Sequence, residues 1–426
     1  MSGSIFGSGG SIFGTGSVLS SIFGGGGLPI PTLTIRDTMT ASTLPPGVTF
    51  SRASGAVRVN AAGDYEEVGP GVLRQQHDLN GNRLGLLIEK AASTNQNTNP
   101  RTEGAVPGVL GSGGALPTGW SGFTSNLPAG SVTVVRNETR RGVDGVVLKI
   151  SGVPTGTTAN NNWIDVSEMV SIGTDVAVGV YVELLAGSLS NVASFSLRIG
   201  NEPTATFFTP GAFARVETVR VLTGTASRTG LRWFYNNTSD PVDFTIWIGW
   251  PTREHAADVS SPILPPVGTP GVSTRAADVL DIPDLDGSVL SFVMRFAPTN
   301  SSASGTALLL SQSGSADDSY AVTLASGTPS MTKTVGASGT AAFARGSALT
   351  ASTFATGAFA IGGGSADGAW DGTLGTTDTS TGTDLGTLTD NSVGGSVGII
   401  LKFLQIYSGR RLTAQQVEAA SKRTVV

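Results

Sequence analysis

The sequence predicts an all-β fold: an extended N-terminal anchor, a small β region, two β-sandwich (jelly-roll) domains and a short C-terminal helix. Three features of the 426 residues support this prediction. Glycine is abundant, at 59 residues, whereas charged residues make up only 13%. Hydrophobic residues reach 39%, which is enough to build packed cores. Short runs that alternate in polarity are separated by Gly, Asn and Pro turns, as in β-sandwiches.

The predicted anchor comprises residues 1–31, in which the tetrapeptide Ser-Ile-Phe-Gly occurs at residues 4–7, 11–14 and 21–24. Gly and Ser separate the copies, so each Ile-Phe pair lies in a flexible spacer that cannot form a core by itself. We therefore expect the pairs to dock into pockets of another protein; the alternative is a disordered tail with incidental repeats. The predicted docking residues are Ile5, Phe6, Ile12, Phe13, Ile22 and Phe23.

Residues 32–92 predict a small β-rich connector. Residues 56–59 alternate in polarity, and the turn sequence at residues 60–64 follows them. Asn80-Gly81 marks a second turn, after which the apolar run at residues 84–89 predicts a buried strand.

Residues 93–280 and 281–426 predict the two sandwiches. In the first, residues 215–221 alternate cleanly, with charged residues on one side and valine on the other. The second opens with an apolar strand over residues 289–296. It ends with a short helix from Ala414 to Lys422, for which Thr413 is a suitable N-cap.

Two strings of the chain resemble a known family. Phe50-Ser51-Arg52-Ala53-Ser54, followed by Arg83 to Glu89 and an Asn-rich stretch, looks like a module of tailed-bacteriophage virion proteins that precedes a carbohydrate-binding-like sandwich. Ser261 to Pro265, followed by Val272 to Leu280, is similar to the segment that closes that sandwich. In residues 281–426, the Trp-Asp-Gly turn and the final Tyr-Ser-Gly-Arg-Arg-Leu-Thr string resemble the concanavalin A-like, laminin-G-type sandwich.

This resemblance implies a bacteriophage virion protein of the tail fibre or receptor-binding type. Its partners would be other virion proteins, bound through the anchor, and a host surface polysaccharide, bound by the sandwiches. The resemblance also implies a homo-oligomer, with a trimer as the natural fibre symmetry, located in the tail or on the head surface of the virion. Two alternatives remain open: a purely structural virion or head-decoration subunit, and a polysaccharide depolymerase.

Composition argues against several other classes of function. The net charge of −5 disfavours nucleic-acid binding, and the absence of a long apolar run disfavours a membrane span. The chain has no cysteine and two histidines, so thiolate and multi-histidine metal sites are not expected. Adjacent carboxylates occur in turn-rich settings that favour solubility over catalysis, and we predict that the chain is not an enzyme.

Sugar binding requires flat aromatic faces beside hydroxyl, amide and charged groups. Trp163 follows a run of asparagines, and Tyr235 and Trp370 also have polar neighbours. The alternative for each ring is a buried anchor beneath a loop. The predicted glycan-binding residues are Asn161, Asn162, Trp163, Tyr235 and Trp370.

No cofactor is expected apart from a structural Ca²⁺, which both resembled sandwich types often hold. Asp367 and Asp371, on either side of Trp370, are the candidate ligands. The alternative is that these aspartates only form turns.

Overall fold

The structure is a computed structural model that describes residues 28–89, 91–124, 126–157, 162–168, 175–199, 207–221, 228–256, 258–301, 303–312, 317–336, 338–379 and 381–424. Its regular structure is nearly all β, which confirms the predicted fold class. The six predicted docking residues of the anchor, Ile5 to Phe23, lie outside the described residues. No helix that the described residues form has the length and apolar character needed to cross a lipid bilayer.

The first part of the chain forms a 3-10 helix (Ala41–Thr43) and the strands β1 (Leu33–Arg36), β2 (Thr49–Ser51), β3 (Ala56–Val59), β4 (Tyr65–Val68), β5 (Arg74–His77), β6 (Arg83–Ile88) and β7 (Ser93–Asn95). The middle part forms β8 (Gly108–Leu110), β9 (Gly113–Gly114), β10 (Ser121–Thr124), β11 (Val132–Arg140), β12 (Val143–Gly152), β13 (Asn162–Glu168), β14 (Asp175–Ser188), β15 (Val192–Ile199), β16 (Phe207–Phe208), β17 (Ala214–Val221), β18 (Arg228–Tyr235), β19 (Val242–Glu254) and β20 (Ser273–Arg275). The last part forms β21 (Val279–Ile282), β22 (Leu285–Asp286), β23 (Leu290–Pro298), β24 (Gly305–Ser311), β25 (Ser319–Ala325), β26 (Thr328–Val335), β27 (Ser338–Ala344), β28 (Ala355–Gly362), β29 (Ser365–Trp370), β30 (Thr373–Leu374), β31 (Thr387–Leu388), β32 (Asp390–Val393), β33 (Ile399–Ser408) and α1 (Ala414–Ser421).

Strands β8 to β19 build one sandwich, which we call the inserted sandwich. Among the described residues, one of its sheets has the order β10-β13-β18-β15-β16 and the other the order β17-β14-β19-β12-β11-β8-β9. Alternate residues of each strand point to the same face, so apolar positions two apart form the core. Leu231 and Trp233 of β18 pack there against Phe244 and Ile246 of β19.

The second sandwich, which we call the framework sandwich, combines strands from both ends of the chain. Within the described residues, one sheet has the order β30-β29-β28-β23-β33-β6-β5, with β1 also paired to β33. The other sheet has the order β2-β21-β32-β24-β25-β26-β27. Its core brings Leu33 and Ile35 of β1 and Leu86 and Ile88 of β6 together with residues such as Phe292 of β23.

The structure corrects the prediction of a separate connector over residues 32–92. Strands β1, β2, β5 and β6 from this region belong to the framework sheets, where Leu33 lies opposite Ile406 and Leu86 lies opposite Leu401. The physical reason is that β1 and β6 have an apolar side, which is buried only when it faces the framework core. The predicted unit 281–426 therefore needs strands from the first part of the chain.

The boundary predicted at residue 280 also changes. The chain leaves the framework through β7 and returns through β20, and these two strands pair antiparallel, with Asn95 opposite Ser273. Leu280 already belongs to β21 of the framework, where it pairs with Phe50 and Val393. The middle of the chain is thus an insertion whose two connections lie side by side.

The hairpin β3–β4 covers the outer face of the seven-stranded sheet of the inserted sandwich. Val57 and Tyr65 of the hairpin pack against Tyr181, Trp247 and Trp250 of that sheet. The rings of Tyr65 and Tyr181 meet edge to face, with centroids 5.0 Å apart. The seven-stranded sheet is therefore packed on both of its faces.

Helix α1 lies against the framework sandwich. The Gln416 N–H donates to Thr413 Oγ1 at 3.3 Å and the Thr413 N–H donates to Gln416 Oε1 at 3.0 Å, which is a capping box. Val417 and Ala420 pack in a small cluster on the framework, and Leu28 packs against the same cluster. The first described residue of the chain therefore lies at the α1 side of the framework.

Candidate binding face of the inserted sandwich

The outer face of the five-stranded sheet carries arginine, carboxylate, hydroxyl and aromatic side chains. Because Leu231 and Trp233 point into the core, the alternate residues Arg232 and Phe234 lie on the opposite face of β18. Ser196 of β15 lies opposite Arg232 in the sheet. The same pairing rule extends this face to neighbouring strands. We call these residues the outer face: Asp165, Ser196, Arg198, Phe207, Arg232 and Phe234.

Arg232 links the aromatic and polar parts of the outer face. Its guanidinium carbon lies 5.2 Å from the centroid of the Phe234 ring, a cation–π arrangement. The Phe234 ring is in turn 5.8 Å from the ring of Phe207, which is 58% exposed. Burial, and then the nearby charge of Arg198, lowers the pKa of Arg232. The site therefore combines a partly desolvated cation with an exposed ring.

The polar part of the outer face is an ion pair held away from water. Arg198 Nη1 donates to Asp165 Oδ1 at 3.3 Å, and Arg232 Nε donates to Ser196 Oγ at 3.4 Å. Asp165 is 2% exposed although it lies on the side of the sheet that does not face the core. Shielded charges have stronger electrostatic interactions and more directional hydrogen bonds than solvated ones. The protein therefore shields this pair, and Phe207 is the broadly exposed member of the outer face.

The predicted glycan-binding residue Trp163 lies in β13, where its backbone pairs with Phe123 on one side and Arg232 on the other. This register places position 163 in the same row of the sheet as Arg232. The side chains of Asn162 and Trp163 lie outside what the structure describes, and so does all of Asn161. Their role in glycan binding stays a prediction.

Sequence analysis did not select the outer-face residues Arg198, Phe207, Arg232 and Phe234. The usable signal is the alternation from Leu231 to Tyr235, because only one side of that strand can face the core. Composition alone does not reveal which side that is, since both sides carry an aromatic residue.

The structure places the candidate rings of Tyr235 and Trp370 in the two cores, where they are 3% and 5% exposed. Tyr235 Oη accepts a hydrogen bond from Trp233 Nε1 at 2.8 Å, and burial raises the pKa of Tyr235 to about 12. Trp370 Nε1 donates to the Phe343 carbonyl oxygen at 2.9 Å. Rings buried in this way offer no open face to a sugar, so both act as the buried anchors of the alternative interpretation.

The candidate calcium ligands are both bonded to arginine. Asp367 Oδ2 accepts from Arg411 at 2.8 Å, and Asp371 Oδ2 accepts from Arg345 at 2.9 Å. Asp371 has a φ of 48° and, with Gly372, forms the tight turn between β29 and β30. Within the described residues, no three His, Cys, Asp or Glu side chains form a group that could hold a metal ion. Asp371 therefore forms a turn, as in the alternative interpretation, and Asp367 forms an ion pair with Arg411.

Residues of the family-like strings meet Arg74 of β5 in a buried group of charges. We call it the junction network: Arg52, Arg74, Glu89, Arg275 and Asp278. Arg74 pairs with Glu89 at 2.6 Å and also with Asp278, and Arg52 pairs with Asp278 at 3.0 Å. Burial alone would raise the pKa of Glu89, but Arg275 and Arg74 lower it well below its ordinary value. These motif residues therefore have a structural role.

The adjacent carboxylates Glu66 and Glu67 are separated by the geometry of their strand. Successive residues of β4 point to opposite faces, so these two side chains do not converge on one point. Glu66 pairs with Arg58 at 3.1 Å and Glu67 with Arg101 at 2.7 Å. Asp286 instead accepts from the Ser288 N–H at 3.0 Å in a turn. Each carboxylate therefore has a local structural partner.

No family model matches the chain, and no curated protein sequence is significantly similar to it. Among solved structures, it is similar to a heptameric SAP-like pentraxin from Limulus polyphemus, with 16% identity, a TM-score of 0.28, and coverage of 34% of this chain and 74% of that one. It is also similar to the CBM40 of a Ruminococcus gnavus sialidase bound to α2,3-sialyllactose, with 16% identity, a TM-score of 0.26, and coverage of 34% and 96%.

A third similar structure is the tail fibre protein gp63.1 of the E. coli phage G7C. The identity is 9% and the TM-score 0.21, with coverage of 77% of this chain and 41% of the fibre protein. Identities and TM-scores this low carry no argument about what the chain binds or where it acts.

Proposed function

We propose that this chain is a structural protein of a tailed-bacteriophage virion, of the tail fibre or receptor-binding type, that binds a host surface glycan without cleaving it. The inserted sandwich carries the binding site on its outer face. The observation that carries this proposal is the shielded Arg198–Asp165 pair beside Arg232 and the ring of Phe234. This combination lies on the one sheet of the inserted sandwich that the β3–β4 hairpin leaves uncovered.

The chemistry of the outer face matches that of a sugar. A pyranose ring has an apolar face that packs on an aromatic ring and a rim of hydroxyls that both donate and accept hydrogen bonds. Phe207 and Phe234 supply the rings, and the partly exposed Arg198 supplies donors. The pairing of position 163 with Arg232 adds a tryptophan to the same row of the sheet.

The virion assignment has separate support in the sequence. The strings that resemble phage virion proteins lie on both sides of the insertion, and the Ile-Phe repeats suit docking into another virion protein. Leu28 packs at the α1 side of the framework, so a chain anchored through residues 1–31 is attached to its particle through the framework sandwich. The proposed glycan site then lies on a different sandwich from the attachment point. The trimeric state stays a prediction.

The test is binding of the full chain to an array of bacterial capsular and O-antigen oligosaccharides. We expect wild-type protein to bind a subset of the array and Phe207→Ala to weaken binding about tenfold, which corresponds to about 1.4 kcal/mol. Phe234→Ala is expected to act in the same direction. Val221→Ala is the matched control, because Val221 is 63% exposed on the other sheet.

Three results would contradict the proposal. Wild-type protein that binds no member of the array would favour the purely structural alternative. Shortened chains after incubation with the bound polysaccharide would favour the depolymerase. Equal loss of binding in Phe207→Ala and Val221→Ala would show that the outer face is not the site.

A further inference from the structure

The framework sandwich has a groove of mixed polar and apolar lining along one open edge, between the end of β27 and the β29–β30 hairpin. Its volume is about 620 Å³, within the range of small-ligand sites. All of its lining residues are described. We call it the edge groove and define it by the residues that the argument uses: Arg345, Gly346, Ser347, Asp371, Thr373 and Thr376.

The guanidinium of Arg345 is held in place by its neighbours. Its Nε donates to Asp371 Oδ2 at 2.9 Å, and its Nη1 donates to the Ser347 carbonyl oxygen at 2.8 Å and to Ser347 Oγ at 2.7 Å. Asp371 is itself fixed, because its Oδ1 accepts from the Thr356 N–H at 2.8 Å. None of these bonds uses Nη2 of Arg345. A ligand would therefore meet a donor that is already oriented in the folded protein, so little side-chain entropy is lost when the ligand binds.

The walls of the groove are also rigid. Trp370 Nε1 bonds to the Phe343 carbonyl oxygen, which ties β27 to β29 across the sandwich edge. The Phe343 ring packs closely against Gly368 and Gly375, where a side chain would collide with it. Gly346, in contrast, has no atom within 4 Å of the position its Cβ would occupy. The groove is therefore open at Gly346, and the residues that form its walls are held by packing and hydrogen bonds.

We propose that the edge groove is a second carbohydrate site that holds a neutral sugar unit. Arg345 offers a donor and Asp371 an acceptor, and the exposed Thr373 and Thr376 carry hydroxyls that can do both. The charges of Arg345 and Asp371 form an ion pair, so the groove does not favour a charged ligand. The assignment of a sugar as the ligand rests on the proposed function of the inserted sandwich.

Two sugar sites on one chain change how the chain binds a polysaccharide. Once the outer face holds one segment of glycan, the edge groove meets the next segment at an effective concentration set by the chain and not by the bulk solution. The groove therefore adds avidity to a repetitive polymer and little to a single short oligosaccharide.

The test uses the full chain on the same array of capsular and O-antigen oligosaccharides. The Phe207→Ala/Phe234→Ala double variant removes the outer face, and Gly346→Phe is then added to fill the groove. We expect the double variant to keep weak binding to neutral oligosaccharides and the added substitution to reduce it at least tenfold. Gly69→Phe is the matched control, since Gly69 also has no atom within 4 Å of its Cβ position and lies outside the groove. Thermal unfolding verifies that both glycine variants fold.

The outcomes separate the two proposals. Residual binding that Gly346→Phe removes and Gly69→Phe preserves supports the edge groove. Residual binding that is preserved in both Gly346→Phe and Gly69→Phe overturns the proposed groove site but leaves the proposed outer-face site intact. A Phe207→Ala/Phe234→Ala variant with no residual binding has the same meaning. Residual binding only to anionic sugars overturns the neutral ligand. Wild-type protein that binds no glycan overturns the proposed function and the groove together.

Discussion

Glu89 shows how one residue of a family-like string can be essential without touching a ligand. It is buried at the junction between the two sandwiches, where Arg74 and Arg275 surround its carboxylate. Removing its charge leaves Asp278 as the one carboxylate of the junction network beside the three buried arginines Arg52, Arg74 and Arg275, which is more costly than losing an exposed ion pair. The contacts of Glu89 therefore give it a role in folding.

We predict that Glu89→Gln lowers the free energy of unfolding by about 3–5 kcal/mol at pH 7. The lowered pKa of Glu89 makes this stabilisation fully present above the unfolded-state pKa of about 4.3. The difference between wild type and variant should then shrink by about 1.4 kcal/mol for each pH unit below that value. Urea unfolding at pH 7 and at two values below pH 4.3 measures it.

Glu66→Gln is the control for this experiment. Glu66 is 41% exposed in its pair with Arg58, and exposed pairs contribute less than about 1 kcal/mol. Equal effects of Glu66→Gln and Glu89→Gln at pH 7 would show that the junction network does not stabilise the fold.

The candidate aromatic residues show how far sequence alone can locate a site. Tyr235 precedes two asparagines and Trp370 precedes an aspartate, so both had polar neighbours in sequence. The face on which each ring lies depends on the alternation of side chains along its strand. Tyr235 is two residues from Trp233, so both rings lie on the same face of β18, which is the core face. Polar neighbours indicate that a turn is near, but they do not reveal which face of the strand a ring lies on.

Two glycines in the neighbouring strands β12 and β19 make room for the side chain of Trp247. Gly145 and Gly249 lie directly opposite each other in the sheet, and the indole of Trp247 lies across both of them. A Cβ at either glycine would fall far inside contact distance of the indole. The glycines are therefore what allows Trp247 to lie flat beneath the β3–β4 hairpin and to donate from Nε1 to the Glu138 carbonyl oxygen at 2.8 Å.

We predict that Gly145→Val destabilises the protein by about 1–3 kcal/mol, because the new side chain displaces the Trp247 indole. Tryptophan fluorescence and thermal unfolding measure the displacement and its cost. Gly211→Val is the control, since no atom lies within 4 Å of the Cβ position at Gly211. An unchanged emission spectrum and melting temperature for Gly145→Val would show that the indole is not held in this way.

Pairing between distant strands explains why some elements were predicted and their partners were not. The alternation and turn signals of β3, β4 and β6 are local, so the sequence reveals that these strands exist. The register of β6 against β33 joins residues more than 300 positions apart, such as Leu86 and Leu401. Nothing local encodes that pairing, which is why residues 32–92 looked like a unit of their own.

At the scale of the molecule, the two sandwiches do not simply follow each other along the chain. The middle of the chain forms the inserted sandwich, and the residues on both sides of it form the framework. The framework is built from both ends of the chain, and the inserted sandwich is connected to it only through β7 and β20. A framework assembled in this way does not require the insertion to complete either of its sheets.

We predict that a chain in which Asn-Gly replaces residues 96–272 still folds. Asn95 and Ser273 are opposite each other, so a two-residue hairpin turn can join β7 to β20. The shortened chain loses the packing of Tyr65 on Tyr181, so its melting temperature should fall while its circular dichroism remains that of a β protein. A chain that binds hydrophobic dye and melts without a cooperative transition would show that the framework depends on the insertion.

The side-by-side position of β7 and β20 has a consequence for the history of such chains. Their paired backbones lie about 5 Å apart, so the two covalent connections between the inserted sandwich and the framework lie close together. A recombination event that cuts at these two connections exchanges the whole inserted sandwich and leaves both framework sheets complete. A lineage can thus acquire a different middle domain in one step.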